Sequence, residues 1–173
     1  MLEQLTDWLS RSDASAFLSD TTLLQTWLII PISQTIHILA VAVVMISIGV
    51  LNLRLLGVAA SHQSFARLTR QLTPWIWSAL AVLLLTGVVQ TIAEPSRELL
   101  NSTFQLKIAL LVVAVAVTIS YRVTTTRNPN YWNVSPGRRR AGHILAGMSL
   151  VLWLGILSAG RLIAYFGAFE PKG

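Results

Sequence analysis

The sequence holds three histidines and no cysteine. Imidazole is therefore its strongest ligand for haem iron or a transition metal. Disulfides, thiolate metal sites, iron–sulfur clusters and cysteine nucleophiles are excluded. His37 lies inside a long apolar stretch, ~15 Å along a helix from Trp27 and near the expected mid-membrane. A neutral imidazole there can ligate haem b or hydrogen-bond a quinone. The ordinary alternative is a histidine satisfied by a hydroxyl or amide of a neighbouring helix. His143 is the other histidine in an apolar stretch, so His37 and His143 form the candidate metal pair. Their expected depths differ by ~10 Å along the membrane normal, whereas two rings on one iron stand only ~4 Å apart. His62 falls in a polar loop nearer the depth of His143; the two could make a surface metal or haem site, and a solvated pair is the plainer expectation.

Lys107 and Arg161 are cations inside otherwise apolar stretches, and both are expected near the same end as Glu94. Together they are candidate anion-binding residues, for a haem propionate or an acidic substrate. The plainer reading pairs Arg161 with Glu94, or lets both bases snorkel to the headgroups. No phosphate-binding loop, zinc motif, nucleophile elbow or kinase signature occurs. No carboxylate pair lies within an apolar stretch, which weakens proton-pump readings, and the balance leans away from an enzyme.

These residues need long apolar helices to position them. The chain is 54% hydrophobic and 12% charged, half the charge of a typical soluble domain. Four apolar stretches stand out: Trp27–Leu56, Thr73–Ala93, Phe104–Tyr121 and Ala141–Tyr165. Each approaches or exceeds the roughly 20 residues that cross a bilayer core. The expected fold is an all-α membrane four-helix bundle in one domain, residues 1–173, with a short N-terminal amphipathic helix. In that helix Leu2, Leu5, Trp8 and Leu9 share one face and suit the membrane surface. Asp20 or Thr21 is the expected cap of the first long helix, with Pro31 kinking it or marking its start. Thr73-Pro74 reads as the start of the second and Ala93-Glu94-Pro95 as its stop. Residues 124–137 read as a loop.

Within the helices, polar residues are expected to face the interior: Ser33, Gln34, His37 and Asn52 in the first, and His143, Gly147, Ser158, Arg161 and Tyr165 in the fourth. Gly142/Ala146 and Gly155/Ala159 are small-residue pairs that admit a close neighbour. Five of the tryptophans, Trp8, Trp27, Trp75, Trp132 and Trp153, are expected at membrane interfaces, and Trp77 one turn deeper.

Eight of the 13 basic residues (Arg54, Arg67, Arg70, Arg122, Arg127, Arg138, Arg139 and Arg140) fall in the loops after helices one and three. All seven acidic residues fall on the other side. The positive-inside rule then makes the arginine loops cytoplasmic and both termini periplasmic. The net charge of +6 is a topology signal and not a nucleic-acid footprint. The expected partners are the bilayer, with anionic headgroups near Arg138–Arg140, and a homo-oligomer or larger membrane complex.

Several motifs carry a resemblance. They are Pro31-x5-His37, Leu53-Arg54-Leu55-Leu56-Gly57, Pro74-Trp75-x-Trp77, Thr86-Gly87, Ala93-Glu94-Pro95, Phe104-x-x-Lys107, Trp153 and Gly160-Arg161-Leu162-Ile163-Ala164-Tyr165. Over residues 25–167 the chain resembles an uncharacterised family of small four-helix bacterial inner-membrane proteins, which implies that fold and location. It also resembles, loosely, the membrane subunits of b-type cytochromes, which carry histidines in helices one and four. That likeness implies a haem-binding or quinone-facing electron-transfer subunit using His37. The rival readings are a non-catalytic membrane scaffold and small-solute transport by an oligomer.

Overall fold

A computed structural model describes residues 1–19, 30–59, 63–93 and 95–166, with the side chains of 18, 19, 97, 121 and 163–166 set aside. The described chain is helical: α1 (Leu2–Ser10), α2 (Asp13–Ser19), α3 (Ile30–Leu55), α4 (Phe65–Ala93), α5 (Pro95–Leu99), α6 (Ser102–Arg127), a 3-10 turn (Tyr131–Asn133) and α7 (Pro136–Phe166). Four of these, α3, α4, α6 and α7, are long and apolar enough to cross a membrane.

Local chemistry sets the boundaries. Asn101 Oδ1 accepts from the Thr103 amide at 2.8 Å and starts α6. Helix α3 ends in a Schellman motif: the Val58 amide donates to Leu53 O at 2.9 Å and the Gly57 amide to Arg54 O at 3.1 Å. Gly57 takes φ +78, a left-handed conformation that glycine adopts without steric cost.

Three boundaries differ from the sequence expectation. The second long helix begins at Phe65, not Thr73, because Ser64 Oγ accepts from the Arg67 amide and caps it. Pro74 lies inside α4, where the Thr73 hydroxyl bonds back to Thr69 O at 2.5 Å. Helix α6 runs on to Arg127, and α7 begins at Pro136 instead of Ala141. There Ser135 Oγ accepts from the Arg138 amide at 3.3 Å, and proline takes the first helical position, where no amide is missed. The Ala93 stop holds. The proposed Asp20 or Thr21 cap lies outside the described residues. A second short helix, α2, follows α1, with Ser12 Oγ accepting from the Ser15 amide.

The long helices form an up-down bundle. Helix α3 packs against α4 and α7, α6 packs against α7, and the α4–α6 seam is the thinnest of the four. Side-chain contacts fix an antiparallel register. Thr86 meets His37 between α4 and α3, Ser149 meets Asn52 between α7 and α3, and Gly142 lies against Leu55. The core holds Val44, Ile48, Leu51, Ile76, Ala114 and Trp153. Trp153 is 3% exposed, so it is a core residue and not an interfacial one. The end where α6 begins and α4 stops is called here the acidic end, and the opposite one the arginine-rich end. Near the acidic end, α1 packs on α5 and α2 on α4. Leu2, Leu5, Trp8 and Phe17 remain exposed on this N-terminal pair.

Candidate functional site

Polar side chains in the bundle gather at two levels. The first is near the acidic end, at the α3–α4 seam. His37 Nδ1 lies 2.7 Å from Thr86 Oγ1. The Thr86 hydroxyl has one proton, and that proton is directed to its own helix, 2.8 Å from Val82 O. In the arrangement with that proton on Val82 O, Thr86 accepts from His37 Nδ1–H; the roles follow the tautomer. In the neutral ring Nε2 is then left with the lone pair, as in a histidine poised to ligate a metal or accept a hydrogen bond. The ring is half-buried, and its Cε1 lies 3.9 Å from where a Cβ on Gly87 would stand.

One turn nearer the acidic end the seam holds two further polar groups. Ser33 precedes His37 by one turn on α3, and Gln90 follows Thr86 by one turn on α4. In this antiparallel pair they share a level. Ser33 Oγ and Gln90 Nε2 are both buried and have no hydrogen-bond partner among the described residues. Lys107 of α6 lies within electrostatic reach of both His37 and Glu98. Its Cε lies 4.0 Å from a Cβ position on Gly160, so its stem crosses to α7. Helical side chains lean toward their N-terminus, which in α6 is the acidic end, so Lys107 leans toward the level of His37.

The second level lies at the α3–α7 interface in the arginine-rich half. Asn52 Nδ2 donates to Ser149 Oγ at 3.0 Å, and both side chains are fully buried. Asn52 Oδ1 and Trp153 Nε1 have no partner among the described residues. An interhelical amide–hydroxyl bond of this kind ties two membrane helices together.

The structure brings some sequence candidates together and separates others. His37 and Lys107 lie within electrostatic reach of one another. His143 does not join them. His37 is 15 residues from Asn52 toward the acidic end, and His143 is six residues from Ser149 toward the other. At 1.5 Å per residue the two histidines are ~31 Å apart along the bundle, three times the separation expected from sequence. They do not share a site. Arg161 stands one step around α7 from Gly160 and is exposed. Ser158 is likewise exposed, and the inward face of α7 is instead Gly142, Ala146, Ser149, Trp153 and Ala159. Gln34 also faces outward. His62 and Glu94, and with them the proposed His62–His143 and Arg161–Glu94 pairs, lie outside the described residues. Among the described residues no three His, Asp or Glu side chains cluster as a metal site.

Sequence reasoning placed His37, Ser33 and Asn52 among the inward residues but gave no role to Ser149 and noticed Thr86 only within the resemblance. The i, i+4 pair Thr86/Gln90 in an apolar helix was the available signal.

Over residues 14–166 the chain matches a family of unknown function, DUF6644, and it belongs to that family. No curated protein and no solved structure matches it.

Proposed function

We propose that this protein is a quinone-facing membrane subunit, whose His37 receives the headgroup of a lipid-soluble quinol between α3 and α4. The observation that carries the reading is the His37–Thr86 hydrogen bond. It commits the Nδ1 proton and turns the Nε2 lone pair into an acceptor for a quinol hydroxyl. Lys107 supplies a cationic donor for the second ring oxygen, and Ser33 and Gln90 bring unsatisfied polarity to the same half of the bundle. The half-buried ring suits a ligand arriving sideways from the lipid. The acidic residues gathered toward this end support a periplasmic orientation for it in a bacterial inner membrane.

A haem b held by His37 is the second reading, favoured by the same fixed tautomer. It requires a single axial histidine, because His143 is ~31 Å away along the bundle.

The test is made on protein purified in mild detergent after expression with haem precursor. Its spectrum is recorded oxidised and dithionite-reduced, and its lipid extract is assayed for quinones. Co-purified quinone that falls ~10-fold in His37→Ala supports the proposal, that factor being one hydrogen bond at ~1.4 kcal/mol. A Soret band lost in His37→Ala, with no quinone retained, transfers the assignment to haem. Neither signal at full purity refutes both.

A further inference from the structure

The N-terminal pair, α1 and α2, carries a feature independent of His37. The face it turns to the bundle is its less apolar one. Thr6 of α1 is 4% exposed and Ser15 of α2 is buried like it, whereas Leu5, Trp8 and Phe17 stay exposed, Trp8 at 68%. We propose that α1 is an interfacial helix, seated on the bundle by Thr6 and inserted by its Leu5–Trp8 flank into the headgroup layer of the membrane that the four spans cross.

The distribution of residues around α1 carries the inference. A helix turns ~100° per residue. Thr6 and Leu9 therefore share the side turned to the bundle, the first buried and the second half-buried. Leu9, expected from sequence on the membrane face, belongs to the protein side. Leu5 and Trp8 fall on one flank, and Glu3, Asp7 and Ser10 on the other, all five exposed. The helix thus presents three surfaces: one to protein, one apolar and one acidic. In water alone the apolar flank would gain nothing, and in hydrocarbon the acidic flank would be costly. A helix lying along the bilayer boundary meets all three surroundings at once. Tryptophan, an apolar ring with one N–H donor, suits that depth.

Local bonds hold the arrangement. Thr6 Oγ1 donates to Leu2 O at 2.9 Å, so its burial leaves no donor unpaired. Ser12 Oγ donates to Leu9 O at 2.6 Å and accepts from the Ser15 amide at 3.2 Å, which ties the end of α1 to the start of α2. Helix α1 packs on α5 and α2 on α4, at the acidic end where the spans leave the hydrocarbon. Toward that end α4 exposes Leu84, Leu85 and Val88, so the span beside the pair already has an apolar outer side that only lipid suits. The Leu5–Trp8 flank continues that surface up to the headgroups. The charges of the pair are Glu3, Asp7 and Asp13 against Arg11, which gives no attraction to anionic lipid. The contact is apolar and indifferent to salt.

The full-length protein is reconstituted in phosphatidylcholine nanodiscs whose acyl chains are brominated either just below the headgroup or near the terminal methyl. The signal of Trp8 is the difference between wild type and Trp8→Phe. It should be quenched more by the shallow bromines than by the deep ones, and equally at low and high salt. Leu5→Asp puts a carboxylate on the same flank and should abolish the shallow quenching, while an unchanged thermal unfolding midpoint shows the bundle intact. Quenching by aqueous iodide with none from either bromine would place the flank in water and overturn the proposal. Protection from all three quenchers, the mark of a protein contact such as a second copy of the chain, would overturn it equally. So would a shallow preference that survives Leu5→Asp.

Discussion

Removing the Ser149 hydroxyl should destabilise this bundle more than removing the whole Asn52 amide. Both side chains are fully buried, and the Asn52 Nδ2 to Ser149 Oγ bond of 3.0 Å joins them. In Ser149→Ala the amide keeps its burial and loses its partner. Since Asn52 Oδ1 has none either, the amide is then wholly unsatisfied. A buried donor left unpaired costs about 1–3 kcal/mol, and hydrogen bonds between membrane helices fall toward the lower part of that range, so ~1–2 kcal/mol is expected. In Asn52→Leu the same heavy-atom skeleton is kept and the whole amide leaves, while the Ser149 hydroxyl left behind turns back to a carbonyl of its own helix, as the hydroxyls of Thr86 and Thr118 do. The change should lie within about 1 kcal/mol of zero, because an apolar isostere ends the desolvation cost. The double variant should match Asn52→Leu alone, giving a coupling energy of about 1–2 kcal/mol in the cycle. Reversible unfolding in mixed micelles, followed by tryptophan fluorescence, measures all three, with Trp153 one turn from Ser149. Asn52→Leu costing more than Ser149→Ala would refute the reasoning. So would additive costs.

The two small-residue positions on α7 should respond in opposite senses. A Cβ on Gly142 would stand 3.0 Å from Trp132 Cε3 and 3.3 Å from Leu55 Cδ1, so Gly142→Ala should destabilise by ~1–2 kcal/mol in the same unfolding assay. On Gly155 the nearest atom is Leu110 Cδ1 at an ordinary 3.5 Å, and Gly155→Ala should stabilise by up to ~1 kcal/mol through helix propensity. Ser64→Ala removes the cap of α4 and should cost ~1 kcal/mol, with the loss largely restored by Ser64→Asp. Thr86→Val takes away the acceptor of His37 Nδ1. It should weaken ligand retention at His37 about 10-fold, read by quinone or haem content, whereas His143→Ala leaves that content unchanged.

The four spans were legible because bilayer thickness imposes a length on apolar runs that composition alone reveals. Their ends were less so. Arg138, Arg139 and Arg140 read as loop, yet they form the first turns of α7. A helix that projects past the hydrocarbon carries charge freely, and the Ser135–Pro136 start signal was the better guide. Thr73-Pro74 misled for a related reason: proline frees only the carbonyl four residues back, that of Arg70, and Arg70 is exposed at the charged end of α4, where that carbonyl needs no helical partner. His37 and Lys107 stood out as expensive residues in apolar runs. Which residue meets His37 was not readable, because the answer depends on the register between α3 and α4, and a run hydrophobic on every side carries no periodic signal for register. The same limit led to the expectation that Arg161 faces inward, and it hid Ser149, a small residue in an apolar segment.

The Asn52–Ser149 bond also bears on how the protein is made. The two residues are 97 positions apart, so α7, which carries the partner of Asn52, emerges well after α3. At about 5–20 residues per second, translation leaves the first hairpin in the membrane for roughly 5–20 s before that partner exists. During this interval a carboxamide destined for full burial faces lipid, where an unsatisfied polar group is costly. The newborn hairpin therefore needs shelter, from the insertion machinery or from water at the bilayer edge, until Ser149 is in place. Assembly of this bundle is tied to the arrival of α7.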